Sequence, residues 1–352
     1  MPVTSHIETL ASSGAQIGEY AGARTPASFG DAAQELNALR SGVGVYDLSW
    51  RGKLVVTGED RIRWMNGMVT NNVRDLPTQR GTFGYILNPQ GRIQADATVF
   101  HRGDYLLLTS EASQLPKIKD YFDRYIIMDD VEISDVSEKL VSIGVAGPLA
   151  EATLTKAELL PNMLAAGEVV DSVFKGIGYS ISRSPIENND SYEVWFAPEN
   201  FNVVWDAIVA AGAKPVGSTA VEWQRILKGL PRVGADIGER ELPQETGQEY
   251  ALHYAKGCYI GQEIVERIHS RGNVNRVFSG LQIDGAAVPS SGTKITSSEK
   301  EVGEVTSSAV IPIDGSNRGF ALGYLRREVS APGTSLKIGE ANATVVSLPF
   351  TF

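Results

Sequence analysis

The spacing of apolar and polar residues changes along the chain, and each change marks an element. Ala32, Leu36 and Leu39 recur on one helical face, which predicts a helix from about Asp31 to Ser41, stopped by Gly42 and Gly44. Leu54, Val55 and Val56 read as a strand, and Gly58-Glu59-Asp60 turns into a helix Arg61–Met68 with Asp60 as its N-cap. Three hairpin strands follow, Phe83–Leu87, Ile93–Phe100 and Tyr105–Thr109, joined by turns at Asn88-Pro89-Gln90-Gly91 and Arg102-Gly103-Asp104. Leu115–Tyr125 returns to helical spacing.

A second round has the same grammar. Leu140–Val145, Val169–Phe174, Tyr179–Ser182 and Tyr192–Phe196 read as strands, with helices near Leu149–Leu154 and over Phe201–Ala211. Helices interleaved with hairpins predict an α+β fold rather than a doubly wound parallel sheet. From about residue 275 the pattern becomes a run of short strands separated by Gly, Pro and Ser, which predicts a small β-barrel or sandwich. The expected division is 1–135 and 136–274 as two α+β subdomains, and 275–352 as a C-terminal β-barrel.

Composition narrows the function. A chain of 352 residues is long for a single core, and 42% hydrophobic with 21% charged residues is ordinary for a soluble globular protein. The net charge of −10 argues against broad nonspecific binding to nucleic acid or anionic membrane. One cysteine cannot form an internal disulfide, and with only four scattered histidines a closed zinc site is not expected. The start Met1-Pro2-Val3-Thr4-Ser5-His6 lacks the basic-then-apolar pattern of a secretory signal, and no apolar run reaches the ~20 residues of a membrane span. A cytoplasmic protein without membrane contact is the expectation.

Three segments carry candidate chemistry. The densest is Lys256-Gly257-Cys258-Tyr259-Ile260-Gly261-Gln262-Glu263, followed by Arg267. Its two glycines permit backbone angles and close approach that a side chain would block. Cys258 has two readings: a small buried apolar residue, or a thiol whose thiolate is favoured by Lys256 and Arg267. The second segment, Asn88 to Asp96, is a turn delivering a strand, so Asp96 points to one sheet face, as a strand-end carboxylate or as a group that exchanges a proton with a ligand nitrogen. In the third, Tyr192-Glu193-Val194-Trp195, Glu193 alternates with apolar neighbours. Phosphate loops, Gly-x-Gly-x-x-Gly turns, Gly-x-Ser-x-Gly elbows and His-Glu-x-x-His pairs are all missing, which removes the usual support for kinase, P-loop, Rossmann, serine hydrolase and zinc protease readings.

Together these segments resemble a known superfamily. Gly44-Val45-Tyr46-Asp47-Leu48-Ser49, Thr70-Asn71-Asn72-Val73 and Asn88–Asp96 resemble the N-terminal half of glycine-cleavage T-proteins (aminomethyltransferases). The octet Lys256–Glu263 is similar to the signature of the YgfZ-type folate-binding proteins of that superfamily. The resemblance implies two α+β regions and a barrel around a central tetrahydrofolate pocket. It implies that Asp96 lies beside the folate nitrogens and that Glu193 binds the pterin edge; Arg225 and Arg232 are candidates for the carboxylates of the glutamyl tail. Trp50 stands where the T-protein motif has histidine, and Ala95-Asp96 where it has paired acids, which weakens the glycine-cleavage reading. A YgfZ-type protein assists assembly or repair of iron–sulfur enzymes and influences tRNA modification. Clusters take about four protein ligands, so one cysteine implies no stable metal and a role shared with iron–sulfur client or assembly proteins. The alternative is a folate-dependent aminomethyl- or methyltransferase with Asp96 as its main polar catalyst.

Overall fold

The computed structural model describes residues 5–187, 189–272, 274–285 and 288–352. Its strands gather into a small N-terminal hairpin, two larger sheets and a closed barrel. Arg80–Leu87, Ile93–His101, Leu106–Glu111, Arg51–Thr57 and Glu132–Asp135 form, in that order, an antiparallel sheet whose first three members are the expected hairpin strands. The second sheet runs Val169–Phe174, Ile177–Arg183, Ser191–Phe196, Val141–Ala146, Gly44–Asp47, Lys214–Pro215. Gly44–Asp47 pairs antiparallel with Val141–Ala146 and parallel with Lys214–Pro215. Past Arg276 six strands close a barrel, as the run of short strands predicts. Ser335–Ile338, which the apolar pattern does not mark, completes it.

Strict period-2 alternation explains how the sheets stack. In Ile93–His101, the side chains of Ala95, Ala97 and Val99 join a core with Trp64, Met65 and Met68 of the helix Arg61–Met68 and Leu115, Ile118 and Phe122 of the helix Leu115–Asp123. In Ser191–Phe196, Tyr192, Val194 and Phe196 pack with Phe201, Val204 and Ile208 of the helix Phe201–Ala210. The opposite faces of the two sheets meet: Phe100 sits edge-on to Trp195 with ring centroids 4.9 Å apart. Burial of one such aromatic contributes about 2–3 kcal/mol. Asp96 and Glu193 alternate with these residues, so both turn toward the space between the sheets.

Some elements differ from the sequence expectation. Asp60 occupies the N-cap position but makes no side-chain cap bond; its carboxylate accepts instead from Arg63 and from the Asp130 backbone N–H. The helices Ser218–Lys228 and Gln262–Arg271 do not stand out in the apolar pattern, nor do the helix Ser5–Ser12 and the hairpin Gln16–Tyr20 with Ala23–Ser28. No helix among the described residues is long and apolar enough to cross a membrane.

Candidate functional site

Between the facing sheets and the helix Ser218–Lys228 lies a cavity of about 210 Å³, open to solvent at its mouth. Tyr46, Trp50, Phe83 and Phe100 give it aromatic walls, and Asp96, Glu111, Glu193, Arg51, Arg232 and Lys228 give it charge. The sequence-predicted Asp96, Glu193 and Arg225 thus come together around one space.

Glu193 is held by its sheet. Tyr46, Gly144, Glu193 and Ser182 form one row across four neighbouring strands. A Cβ on Gly144 would come within 2.3 Å of the Tyr46 ring, so the glycine lets that ring lie flat across the sheet toward Glu193. Trp195 Nε1 donates to the Glu193 carboxylate at 3.0 Å. Burial and the Glu193 charge hold the Tyr46 phenol well above its ordinary range, so it stays a neutral donor. Behind this row the buried Lys53 donates to Ser142 at 2.5 Å, and desolvation lowers its pKa to about 8.

Asp96 faces the cavity from the other sheet. Burial pushes its carboxyl up, and Arg51 and Arg232 pull it partly back. A desolvated carboxyl beside a ligand nitrogen is suited to proton exchange.

Arg225 lines the cavity, but its five N–H groups are already committed. They go to Glu222 (2.8 and 2.6 Å), Asp236 (2.6 Å), the Leu230 carbonyl (2.5 Å) and Ser307 (2.8 Å). The side chain joins its helix to the following loop and to the barrel, and it has no donor left for a ligand carboxylate. Arg232 is less committed. It reaches Glu111 at 3.4 Å and lies over the Tyr20 ring, while its buried Nε has no partner. Lys228, which donates to Asn189 at 3.2 Å, adds a second cation whose pKa burial lowers.

The octet lies outside the cavity. Lys256 is fully buried; its ammonium donates to the carbonyls of Asn66 and of Val69 (2.6 Å) at the end of the helix Arg61–Met68, and sits 4.8 Å from the centre of the Tyr259 ring. Desolvation lowers its pKa to about 7. The expectation that Lys256 favours a thiolate is therefore corrected: its donors are turned into the protein, whereas Cys258 is exposed. Tyr259 is buried, Gly257 takes a positive φ of 96°, and Gly261 and Gln262 open the helix that carries Glu263 and Arg267 at the surface. Among the described residues no group of His, Cys, Asp and Glu is arranged to hold a metal ion.

Glu111, Arg51 and Lys228 are charged site residues that sequence reasoning passed over. The alternation Leu107, Thr109, Glu111 carries a signal for the first, since it puts a carboxylate on the same face as an apolar residue.

Residues 6–256 match the family model of the GCVT N-terminal domain, and residues 276–351 that of the glycine cleavage T-protein C-terminal barrel domain. An aminomethyltransferase of Rippkaea orientalis is 28% identical over 96% of this chain and 94% of its own length, and one of Geobacillus kaustophilus is 28% identical over 96% and 95%. A chloroplastic protein of Arabidopsis thaliana, named as a transferase, is 26% identical over 97% of this chain and 78% of its own. The crystal structure of the glycine cleavage system aminomethyltransferase T from Bartonella henselae superposes with a TM-score of 0.87 at 21% identity, covering 98% of this chain and 96% of that one, which shows the shared fold. With both family models matched along nearly the whole length, the chain belongs to the glycine cleavage T-protein family.

Proposed function

We propose that this protein is a cytoplasmic tetrahydrofolate-binding accessory protein that assists assembly or repair of iron–sulfur enzymes, and through them influences tRNA modification. The observation that carries this reading is a separation: Asp96 and Glu193 share one cavity, while Cys258 is exposed outside it. A thiol on the surface serves a partner protein, whereas a thiol in the cavity would serve the ligand. One thiolate leaves most of a cluster's ligands to be supplied by that partner.

The residues present fit a reduced folate. Glu193, which lines the cavity, would accept N–H bonds from an aminopyrimidine edge, and its charge would strengthen them. The aromatic walls suit a flat ring system. Arg232 and Lys228 are the cations suited to the glutamyl carboxylates, in place of Arg225. Bound tetrahydrofolate would supply nitrogens able to carry a one-carbon unit, and Asp96 would hold or return a proton beside them.

A second reading, a folate-dependent aminomethyl- or methyltransferase, is favoured by Asp96 in the cavity and by the names of the relatives. Anaerobic calorimetric titration with tetrahydrofolate tests both. Saturable micromolar binding supports the shared folate site, and no binding at millimolar ligand overturns both. Cys258→Ala and Asp96→Asn then separate them. On the accessory reading Cys258→Ala abolishes support of iron–sulfur enzymes in cells and leaves folate affinity unchanged. On the transferase reading it changes neither, and Asp96→Asn removes turnover.

A further inference from the structure

Asp96 has a carboxylate neighbour. Ile93–His101 and Leu106–Glu111 pair with Thr98 across from Thr109. The paired ladder ends at that point; Asp96 and Glu111 each lie two residues beyond it, where the Ser110 hydroxyl donates to the Asp96 carbonyl at 2.8 Å and the Asp96 charge acts on Glu111. On the far side Glu111 is opposite Arg51; on the near side Asp96 is opposite Tyr85. Directly opposed residues project from the same sheet face with Cβ atoms about 4.5–5.5 Å apart. Asp96 and Glu111 both line the cavity, and Glu111 is only 7% exposed.

Two desolvated carboxyl groups this close resist carrying two negative charges. Burial pushes both up, and the Asp96 charge pushes Glu111 further. The charged and titratable groups facing the pair are Arg51, Tyr85, Tyr250 and Arg232, with Tyr20 beneath the Arg232 guanidinium and Glu193 across the cavity. Arg232 and Arg51 favour the ionised forms, so they oppose the loss of both charges.

We propose that Asp96 and Glu111 act as one acid–base unit that holds a single proton in the ligand-free site. Glu111 is the positioning partner: it sets how readily Asp96 takes or gives that proton. The inference rests on tetrahydrofolate occupying this cavity. When a folate nitrogen attacks a carbon carried by an amine or thiol donor, the carbon's bond to the donor heteroatom breaks and the electron pair stays on that heteroatom; the nitrogen's N–H proton passes through the pair to the departing heteroatom, so the pair ends with the single proton it began with. Neither oxidant nor reductant is involved.

Infrared difference spectra of the ligand-free full chain at pH 7 test the shared proton. The expected result is a protonated-carboxyl band that disappears in Glu111→Gln and in Asp96→Asn alike, because the remaining carboxyl ionises. A band unchanged in Glu111→Gln, or no band in the native protein, overturns the proposal. If Glu111→Gln fails to fold, Asp96→Asn supplies the same comparison. The pH dependence of tetrahydrofolate affinity gives a second readout. Glu111→Gln should move its acid limb down by about one pH unit or more, since Asp96 loses a like-charged neighbour; uniform weakening with an unmoved limb is a purely structural effect and overturns the proposal. Should the native protein bind no folate, the ligand assignment falls, while the infrared comparison still decides the carboxyl pair.

Discussion

A Cβ placed on Gly261 would lie 2.6 Å from the Asn88 carbonyl oxygen. The octet and the turn that leads to Asp96, separate signals along the chain, therefore touch backbone to backbone. The same Cβ on Gly261 would lie 3.0 Å from the Gly91 Cα, and a Cβ on Gly91 would meet the Cβ of Ile264, the residue after the octet, at 2.8 Å. The octet thus braces the turn from which the cavity strand starts while contributing nothing to the cavity lining.

Gly261→Ala should accordingly cost about 2–4 kcal/mol, combining a φ of 81° with that clash. Urea unfolding measures the loss. Tetrahydrofolate affinity should fall with it as the turn is displaced, whereas a stability change below about 0.5 kcal/mol would mean that the turn yields freely.

Lys256 gives a pH signature. Its pKa drops to about 7 in the fold from 10.5, so between those values the unfolded chain binds more protons than the folded one. Its contribution to stability therefore rises with pH from about 7 to about 10 and is flat below, with a slope of at most about 1.4 kcal/mol per unit. Thermal unfolding of Lys256→Met should lose that rise relative to the native protein. An identical pH profile would refute the lowered pKa.

Arg225 is expected to matter for the join to the barrel before it matters for ligand. Asp236 is 3% exposed and takes one Arg225 bond together with those of Thr306 and Ser307. Arg225→Met leaves that carboxylate without its cation and should cost about 3–5 kcal/mol, part of which Asp236→Asn should restore in the double variant. Arg225→Lys should rescue poorly, since an ammonium cannot serve the forked set of partners. Full stability in Arg225→Met would show that the join does not depend on this side chain.

Cys258→Ser should leave melting temperature within about 0.5 kcal/mol equivalent and folate affinity unaltered, because the thiol is exposed and outside the cavity. Calorimetry on the variant checks this. A drop in affinity would move the thiol's role into the ligand site.

The elements legible in the sequence are those whose buried face is apolar throughout, such as Ile93–His101 and Phe201–Ala210. Ser218–Lys228 escapes because its inner face carries Gln224, Arg225 and Lys228 to the cavity, so a functional helix reads as a polar one. Strand alternation was enough to put Asp96 and Glu193 each on one face. That the two faces oppose each other depends on sheet stacking, which no local pattern encodes. Lys256 and Cys258 show the converse: two positions apart, one is turned into the protein and the other out, so nearness in sequence says little about nearness of charge.

The placement of Gly44–Asp47 has a consequence for synthesis. Both of its partners, Val141–Ala146 and Lys214–Pro215, leave the ribosome long after it does. Until they appear, a nascent chain displays a strand with two bare edges, a template on which another unfinished chain can pair. Yield in a cell should therefore hinge on how quickly translation runs from Asp47 to Pro215, and on whether a chaperone shields that strand meanwhile.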